Sequence, residues 1–93
     1  MAETVTHLAD EHRFELTIDN TTAFISYRPI GDVLVFEHTE VPPELGGKGV
    51  GSRLVHEALN EVRKLGLKIR PDCSFVAAYI KRHPEFADLA SDV

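Results

Sequence analysis

Alternating apolar and polar residues predict three strands in the first half of the chain. Residues 13–18 alternate, Asp19-Asn20 is a turn dipeptide, and residues 22–28 alternate again, which is the pattern of a β-hairpin. Residues 33–41 form the third predicted strand. Its opening Val-Leu-Val-Phe is apolar on both faces, as expected of a more central strand, and Pro42-Pro43 ends it.

The second half predicts two helices around a fourth strand. From Gly49 or Val50 to Leu65 the apolar residues recur at helical spacing. Residues 67–70 then form a short strand, which a right-handed crossover places parallel to residues 33–41 as one βαβ unit. A second helix is predicted over residues 75–83, and Pro84 prevents its continuation.

These elements predict an α+β fold with a mixed, mostly antiparallel sheet covered by helices, in a single domain over residues 1–93. Ninety-three residues with 43% hydrophobic content suffice for one compact core. No run of about 18 apolar residues predicts a membrane span, and the acidic N-terminus lacks the basic and apolar regions of a signal peptide. We therefore expect a cytoplasmic protein with no membrane partner.

Charge is divided unevenly between the two halves of the chain, behind an overall net charge of −5. Residues 1–47 hold two basic and nine acidic side chains, a difference of −7, whereas residues 48–93 hold eight basic and six acidic, a difference of +2. The basic half favours an anionic cofactor, and the acidic half favours a cationic, amine-bearing substrate. Nucleic acid is disfavoured as a partner, because the chain is acidic and has no basic-aromatic patch.

The turn between the third strand and the first helix, residues 46–51, contains four glycines in six positions. A helix N-terminus carries unpaired N–H groups and partial positive charge, and glycines let the backbone approach an anion. A phosphate site is therefore the functional interpretation, against that of a plain connector. A Walker loop is excluded because Gly49 follows Lys48, and a dinucleotide fingerprint because Gly47, Gly49 and Gly51 are evenly spaced.

This turn resembles the acyl-CoA pyrophosphate loop of the GNAT superfamily of N-acetyltransferases, whose pattern is Gln/Arg-x-x-Gly-x-Gly/Ala. Gly46 departs from the pattern, since the family usually has Arg or Gln there. Other segments extend the resemblance over roughly residues 5–90, namely Arg13-Phe14-Glu15, Tyr27, His38-Thr39-Glu40-Val41-Pro42-Pro43, Pro71-Asp72-Cys73-Ser74-Phe75-Val76 and His83-Pro84-Glu85-Phe86. The chain is similar to the small GNAT-like proteins that consist of little more than the acetyl-CoA-binding core.

The resemblance implies acetyl-CoA, or coenzyme A, as the cofactor. The glycine turn would hold the pyrophosphate, and the pantetheine arm would lie where the strand ending at Val41 splays away from residues 67–70. There it would pair with the backbone of residues 39–41 like an added strand. The implied cofactor-binding residues are Thr39, Glu40, Val41, Gly46, Gly47, Lys48, Gly49, Val50, Gly51, Ser52, Phe75 and Lys81.

Three side chains are candidates for catalysis: Cys73, His38 and Tyr79. Cys73, the single cysteine, lies at the mouth of the second helix, whose predicted N-cap is Asp72 or Ser74. Because a helix N-terminus lowers a thiol pKa, Cys73 is suited to protonate a leaving thiolate or to accept the acetyl group itself. Inert packing as a small buried residue is the alternative.

His38 is the candidate general base, and strict strand alternation would put it on the opposite face from Glu37. The resemblance implies Tyr79 as a proton donor, since the family commonly uses a tyrosine on this helix. A core aromatic is the alternative for Tyr79. His56 is assigned to the wet side of the first helix. No metal site is predicted, because no second His or Cys lies at ligand spacing from His83.

We predict a GNAT-like N-acetyltransferase that transfers acetyl from acetyl-CoA to a primary amine, in a small molecule or a protein lysine. The alternative is a non-catalytic acyl-CoA-binding or interaction module, favoured by the absence of the N-terminal helices that help to form the acceptor pocket in ordinary members. A third candidate is a phosphate or nucleotide binder that uses the same loop. We expect a monomer or weak homodimer. The acceptor, and the choice between direct transfer and an acetyl-Cys73 intermediate, stay open.

Overall fold

The computed structural model describes residues 4–47 and 49–90. Its five strands and two α-helices are, in chain order, β1 (Thr6–Leu8), β2 (Arg13–Ile18), β3 (Thr21–Ile30), β4 (Val33–Glu40), α1 (Val50–Lys64), β5 (Lys68–Pro71) and α2 (Ser74–Arg82). Three short 3₁₀ helices lie at Ala9–Glu11, Pro43–Leu45 and Pro84–Leu89. None of the helices in these two described ranges is long and apolar enough to cross a membrane.

The strands form one sheet in the order β1-β2-β3-β4-β5. The first three pairings are antiparallel, and β4 pairs with β5 in parallel across the α1 crossover. This confirms the predicted α+β class, with a mostly antiparallel sheet and one βαβ unit. The hairpin turn places Asp19 and Asn20 at φ values of 51° and 66°, a left-handed conformation that these two residue types tolerate best after glycine.

The edge strand β1 was not predicted from the sequence. It is three residues long, which is too short for an alternation pattern to be recognised. Its register places His7 opposite Phe14 of β2. The position of this strand is therefore decided by its pairing with β2 and by contacts to α1, which is remote in sequence.

A β-bulge interrupts the pairing of β3 with β4. Ser26 faces His38, but the next residue along β3, Tyr27, faces Phe36, so Glu37 is an extra residue in β4. The bulge reverses the alternation that the sequence predicts, because Glu37 and His38 are consecutive and both exposed. It also reverses the face of the sheet on which each later residue of β4 lies.

Beyond the bulge, β4 and β5 separate. Their parallel pairing ends at Phe36 opposite Pro71, whereas β4 continues to Glu40. The last link across the gap is a hydrogen bond of 2.9 Å, in which the N–H of Cys73 donates to the carbonyl of Phe36. The final four residues of β4 therefore have no pairing to β5, which confirms the predicted splay of the central strands.

Both helices pack on one face of the sheet around a single core. The helix α1 buries a stripe from Val50 to Val62, as its apolar spacing predicts, and α2 buries Val76, Tyr79 and Ile80. They meet the inward residues of the strands: Phe14, Leu16, Ala23, Ile25, Tyr27, Leu34, Phe36 and Ile69. Burial of each large apolar side chain contributes about 1.5–3 kcal/mol, so this layer supplies most of the stability.

The other face of the sheet is covered by side chains of its own strands. The guanidinium of Arg13 lies 3.9 Å from the centre of the Phe24 ring, and the Phe24 ring meets His38 edge to face. Val35 is buried on this face beside Arg28 and Arg70, its register partners. We call this surface the open face, because no described helix packs on it.

The N-cap residue of α2 is Cys73, and not Asp72 or Ser74 as predicted. Cys73 is in extended conformation, with φ −77° and ψ 126°, and the helix begins at Ser74. The carboxylate of Asp72 is instead held by Arg70 at 2.7 Å, which removes it from the capping position. Cys73 therefore lies directly where β5 turns into α2.

Candidate functional site

The glycine turn is held open by backbone conformation. Gly47 and Gly49 have φ values of 77° and 70°, in the left-handed region where a Cβ is costly. Gly49 also occupies the N-cap position of α1, and no side chain caps that end of the helix. The first N–H groups of α1 therefore face the turn without a side-chain acceptor. Lys48, predicted to assist here, lies outside the described residues.

Gly51 is required for a different reason. It lies in the first turn of α1, where a Cβ would come within 2.6 Å of the Cζ atom of Phe75 on α2. Phe75 is 38% exposed despite this contact. The absence of a side chain at Gly51 thus brings the N-terminal turns of the two helices close together and leaves an aromatic ring at the surface between them.

A cavity of about 250 Å³ lies at this junction. Its walls come from four parts of the chain, which are the residue after β4, the 3₁₀ turn, the glycine turn with the start of α1, and the start of α2. The lining residues are Val41, Leu45, Gly46, Gly47, Gly49, Val50, Gly51, Ser52 and Phe75. The first eight come from residues 41–52. Phe75 is far from them in sequence and joins them because the start of α2 packs against Gly51.

The thiol of Cys73 lies in the gap between the separated strands. Its Sγ atom is 3.3 Å from the hydroxyl oxygen of Thr39 on β4, and Cys73 is 9% exposed. Thr39 is placed there by the bulge, since it pairs with the core residue Ile25 and shares its face. Two residues 34 positions apart in sequence thus meet at the point where β4 leaves β5.

Hydrogen bonds around this thiol lower its pKa. Burial raises the pKa of Cys73, but hydrogen bonding by the Thr39 hydroxyl and by the backbone N–H groups of Val76 and Phe75 outweighs burial, so the pKa is lowered overall. The N–H groups belong to the first turn of α2, where unpaired donors and partial positive charge stabilise an anion. The arrangement can therefore supply a nucleophile or a readily exchanged proton.

His38 lies on the other side of β4. Its register partner is Ser26, on the open face, so its ring projects away from Thr39 and Cys73. The Nε2 atom is 3.1 Å from a carboxylate oxygen of Glu40, and both side chains are more than half exposed. The structure thus brings the candidate catalytic residue Cys73 together with Thr39, a predicted cofactor-binding residue, and keeps His38 on the opposite face.

Tyr79 is buried between α1 and the C-terminal 3₁₀ turn. Its hydroxyl is 3.1 Å from Nδ1 of His56, and its ring stacks on His83 with centres 4.1 Å apart. Burial, with a smaller effect of the Glu85 carboxylate, raises the pKa of Tyr79, so it stays protonated. The exposed position of His56 agrees with the prediction. Its hydrogen bond to Tyr79 was missed, although a buried tyrosine hydroxyl requires a partner.

Lys81 is exposed in the last turn of α2, whereas Phe75 and the cavity lie at the first turn. Six residues of helix separate them along the axis by about 9 Å. Lys81 therefore does not line the cavity. Within residues 4–47 and 49–90, no three His, Cys, Asp or Glu side chains are grouped so that they could hold a metal ion.

In this α+β sheet a glycine turn at a helix N-terminus lies beside two separating parallel strands, and its backbone is suited to an anion. The family model of the GCN5-related N-acetyl-transferase matches residues 13–89. The chain belongs to this family. Members of the family generally use acetyl-CoA, and the match includes the glycine turn, Thr39 and Cys73.

Individual relatives agree with this assignment. The chain is 29% identical over 83 residues to Protein NATD1 of Mus musculus, with 86% of this chain and 76% of the relative aligned. For Protein NATD1 of Homo sapiens the identity is 33% over 63 residues, which cover 67% of this chain and 56% of the relative. The aligned part thus spans little more than half the length of the human protein.

A solved structure shares the fold. It is the NMR solution structure of a GCN5-like protein from Staphylococcus aureus whose N-acetyltransferase assignment is itself a proposal. The TM-score is 0.73 at 29% identity, with 100% of this chain and 93% of that chain covered. The likeness therefore extends over the whole sheet and both helices, and not only over the glycine turn.

Proposed function

We propose that this protein binds acetyl-CoA and transfers its acetyl group to a primary amine. The observation that carries the proposal is the meeting of Thr39 and Cys73, 3.3 Å apart, in the gap between β4 and β5. Phe75 lines the glycine cavity and is two residues from Cys73, so the gap and the cavity are neighbours. An anion site and a polarised thiol are thus adjacent, which is what a thioester with a phosphorylated tail requires.

The residues present fit the cofactor. The backbone N–H groups at Gly47, Gly49 and the start of α1 would bind the pyrophosphate, since these two glycines place no Cβ before an anion and no described side chain caps α1. The unpaired edge of β4 at residues 39–41 offers backbone groups to the pantetheine amides. Phe75 and Val41 supply an apolar wall. The cofactor supplies the activated acetyl thioester.

Two roles for Cys73 are compatible with its place. As an acid, it gives its proton to the departing thiolate when an amine attacks the thioester carbonyl directly. As a nucleophile, its sulfur attacks the carbonyl, the bond to the CoA sulfur breaks, and the CoA thiolate takes up a proton; an amine then attacks the new thioester and restores the thiol. Both roles draw on the lowered pKa of Cys73.

The acceptor is proposed to approach from the open face. His38 and Glu40 are exposed there, one residue to either side of Thr39. The carboxylate of Glu40 can attract an ammonium, and the imidazole of His38 can take its proton. His38 is thus the proposed base. For the acid we favour Cys73 over Tyr79, because the Tyr79 hydroxyl is engaged with His56 and the tyrosine is 3% exposed.

The alternative is an acyl-CoA-binding module without turnover. The observation that favours it is the open face itself, because within the described residues no helix provides a second wall for an acceptor. Both functions require the cofactor site, and only the enzyme requires Cys73 chemistry. They are therefore separable by experiment.

The test combines calorimetric titration with coenzyme A and intact mass measurement after incubation with acetyl-CoA. Binding, together with amine-dependent release of free thiol that is lost in Cys73→Ala, would support the transferase. An added acetyl group that is absent in Cys73→Ala would assign the nucleophilic role. Binding without turnover over a panel of amines would support the module, and no binding by the unmodified chain would overturn the proposal. Cys73→Ser serves as the matched control for packing.

A further inference from the structure

A second cavity lies at the other edge of the sheet, between β1 and α1. Its volume is about 290 Å³, near the lower end for small-molecule sites. It is lined by Val5, His7, Phe14, Glu57, Asn60, Glu61 and Lys64. The register His7–Phe14–Ile25–Thr39 puts three strand spacings, about 14 Å, between this cavity and Thr39. It is therefore not part of the proposed acyl site.

The floor of the cavity is rigid and aromatic. The His7 ring stacks on Phe14, with centres 4.2 Å apart and planes 15° from parallel. Its Nε2 atom is within hydrogen-bonding distance of the Tyr27 hydroxyl, at 2.6 Å, and burial raises the pKa of that tyrosine. Burial also lowers the pKa of His7, against a smaller opposing effect of Glu61.

The helix wall presents a carboxylate, Glu61, and an ammonium, Lys64, that form no ion pair with each other. Glu57 is already engaged by the N–H of Val5 at 3.3 Å and by Arg53 at 3.0 Å. Among residues 4–47 and 49–90, the charged partner of the Glu61 carboxylate is the His7 Nδ1 atom at 3.9 Å, which is beyond a hydrogen bond. Lys64 makes no ion pair with any carboxylate in the described part of the chain.

Glu61 and Lys64 are three residues apart on α1, so their Cβ atoms are about 5–6 Å apart on one side of the helix. They therefore offer a carboxylate and an ammonium side by side, the charges opposite to the ammonium and the carboxylate of an α-amino acid. Asn60 adds an amide that can donate or accept. Val5 and the stacked pair His7 and Phe14 offer an apolar surface to a side chain.

We infer that the cavity between β1 and α1 is a binding site for a small zwitterion, a free α-amino acid with an apolar side chain. Glu61 binds its ammonium, Lys64 its carboxylate, and the Val5–His7–Phe14 surface its side chain. This site is separate from the acetyl-CoA site, so its occupancy does not depend on the proposed transferase reaction. A ligand here would join β1 to α1 in addition to the contacts that Val5 and His7 already make.

The test uses L-leucine as the probe, with backbone amide shifts of the full chain recorded by NMR. We expect saturable shifts confined to residues 5–8 and 60–64, with dissociation in the millimolar range. Two analogues carry one charge each: 3-methylbutan-1-amine lacks the carboxylate, and 4-methylpentanoate lacks the ammonium. Each should bind at least about tenfold more weakly than L-leucine, since each loses one charged hydrogen-bonding partner.

The variants Glu61→Gln and Lys64→Met test the two contacts separately. Each should weaken L-leucine about tenfold, while Asp32→Asn, an exposed carboxylate removed in the β3–β4 turn, should leave the affinity unchanged. Retained amide dispersion in each variant shows that the fold is intact. Shifts that fail to saturate, or that are the same in Glu61→Gln and the unmodified chain, would overturn the proposal. Equal binding of the amine and L-leucine would overturn the role of Lys64.

Discussion

The contact between Gly51 and Phe75 gives a prediction whose magnitude can be worked from the structure. Replacing Gly51 by Ala has two opposing effects on stability. Alanine is favoured over glycine in a helix by about 1 kcal/mol. Its Cβ, however, would lie 2.6 Å from the Cζ atom of Phe75, and overpacking of this kind costs about 1–3 kcal/mol unless the neighbour moves.

Phe75 can move, because its ring is 38% exposed and the clashing atom is at the far end of the side chain. We therefore expect Gly51→Ala to change the free energy of unfolding by no more than about 1 kcal/mol, or about 4–8 °C in Tm. Coenzyme A binding should suffer more, since the new methyl group and the displaced ring both enter the glycine cavity. We expect affinity to fall by about tenfold or more.

A double-mutant cycle isolates this contact. In a Phe75→Ala background the clash is gone, so Gly51→Ala should be stabilising by up to about 1 kcal/mol through helix propensity alone. Thermal unfolding of the four proteins measures the coupling energy, and calorimetry measures the effect on coenzyme A. Additive stability effects in the two backgrounds, with unchanged coenzyme A affinity, would refute the argument that Gly51 exists to admit Phe75.

Three further predictions concern the rest of the site. Gly49→Glu should abolish coenzyme A binding in calorimetry by filling and charging the anion site, whereas Gly66→Ala, a similarly left-handed glycine remote from the cavity, should cost about 1–2 kcal/mol of stability and leave binding intact. Thr39→Val should raise the pKa of Cys73, so that the midpoint of its alkylation rate against pH moves upward; an unchanged midpoint would mean that the α2 N-terminus alone sets it. Tyr79→Phe should destabilise by about 1 kcal/mol in chemical unfolding, and a much larger loss of turnover would restore Tyr79 as the acid.

The local features of the chain were predictable because they depend on neighbours in sequence. The hairpin around Asp19-Asn20, the helix that follows Gly49 and the parallel return of residues 67–70 follow from alternation, helical spacing and turn chemistry. The glycine turn was recognisable for the same reason. Its anion-binding potential comes from consecutive backbone N–H groups, which the order of the residues alone puts in place.

The chemistry of the site was decided by tertiary structure. One extra residue, Glu37, reverses the faces of His38 and Thr39, and the sequence Val-Leu-Val-Phe-Glu-His-Thr-Glu carries no signal for a bulge. The splay was implied only by the family resemblance. It brings Thr39 against Cys73 because α2 begins where β5 ends. The hydrogen bond of Tyr79 to His56, and the edge strand β1 with its cavity, likewise depend on contacts between distant segments.

By itself, the sequence determined the order of both α-helices and of β2 to β5, the glycine turn and, through its motifs, the family. These are properties of short segments, in which each residue constrains the next few. Only the tertiary structure decided which side chain of β4 lies in the gap beside Cys73, since a strand turns over with every single-residue change of register. Cys73 contacts Thr39, and not His38, because Glu37 is an extra residue in β4.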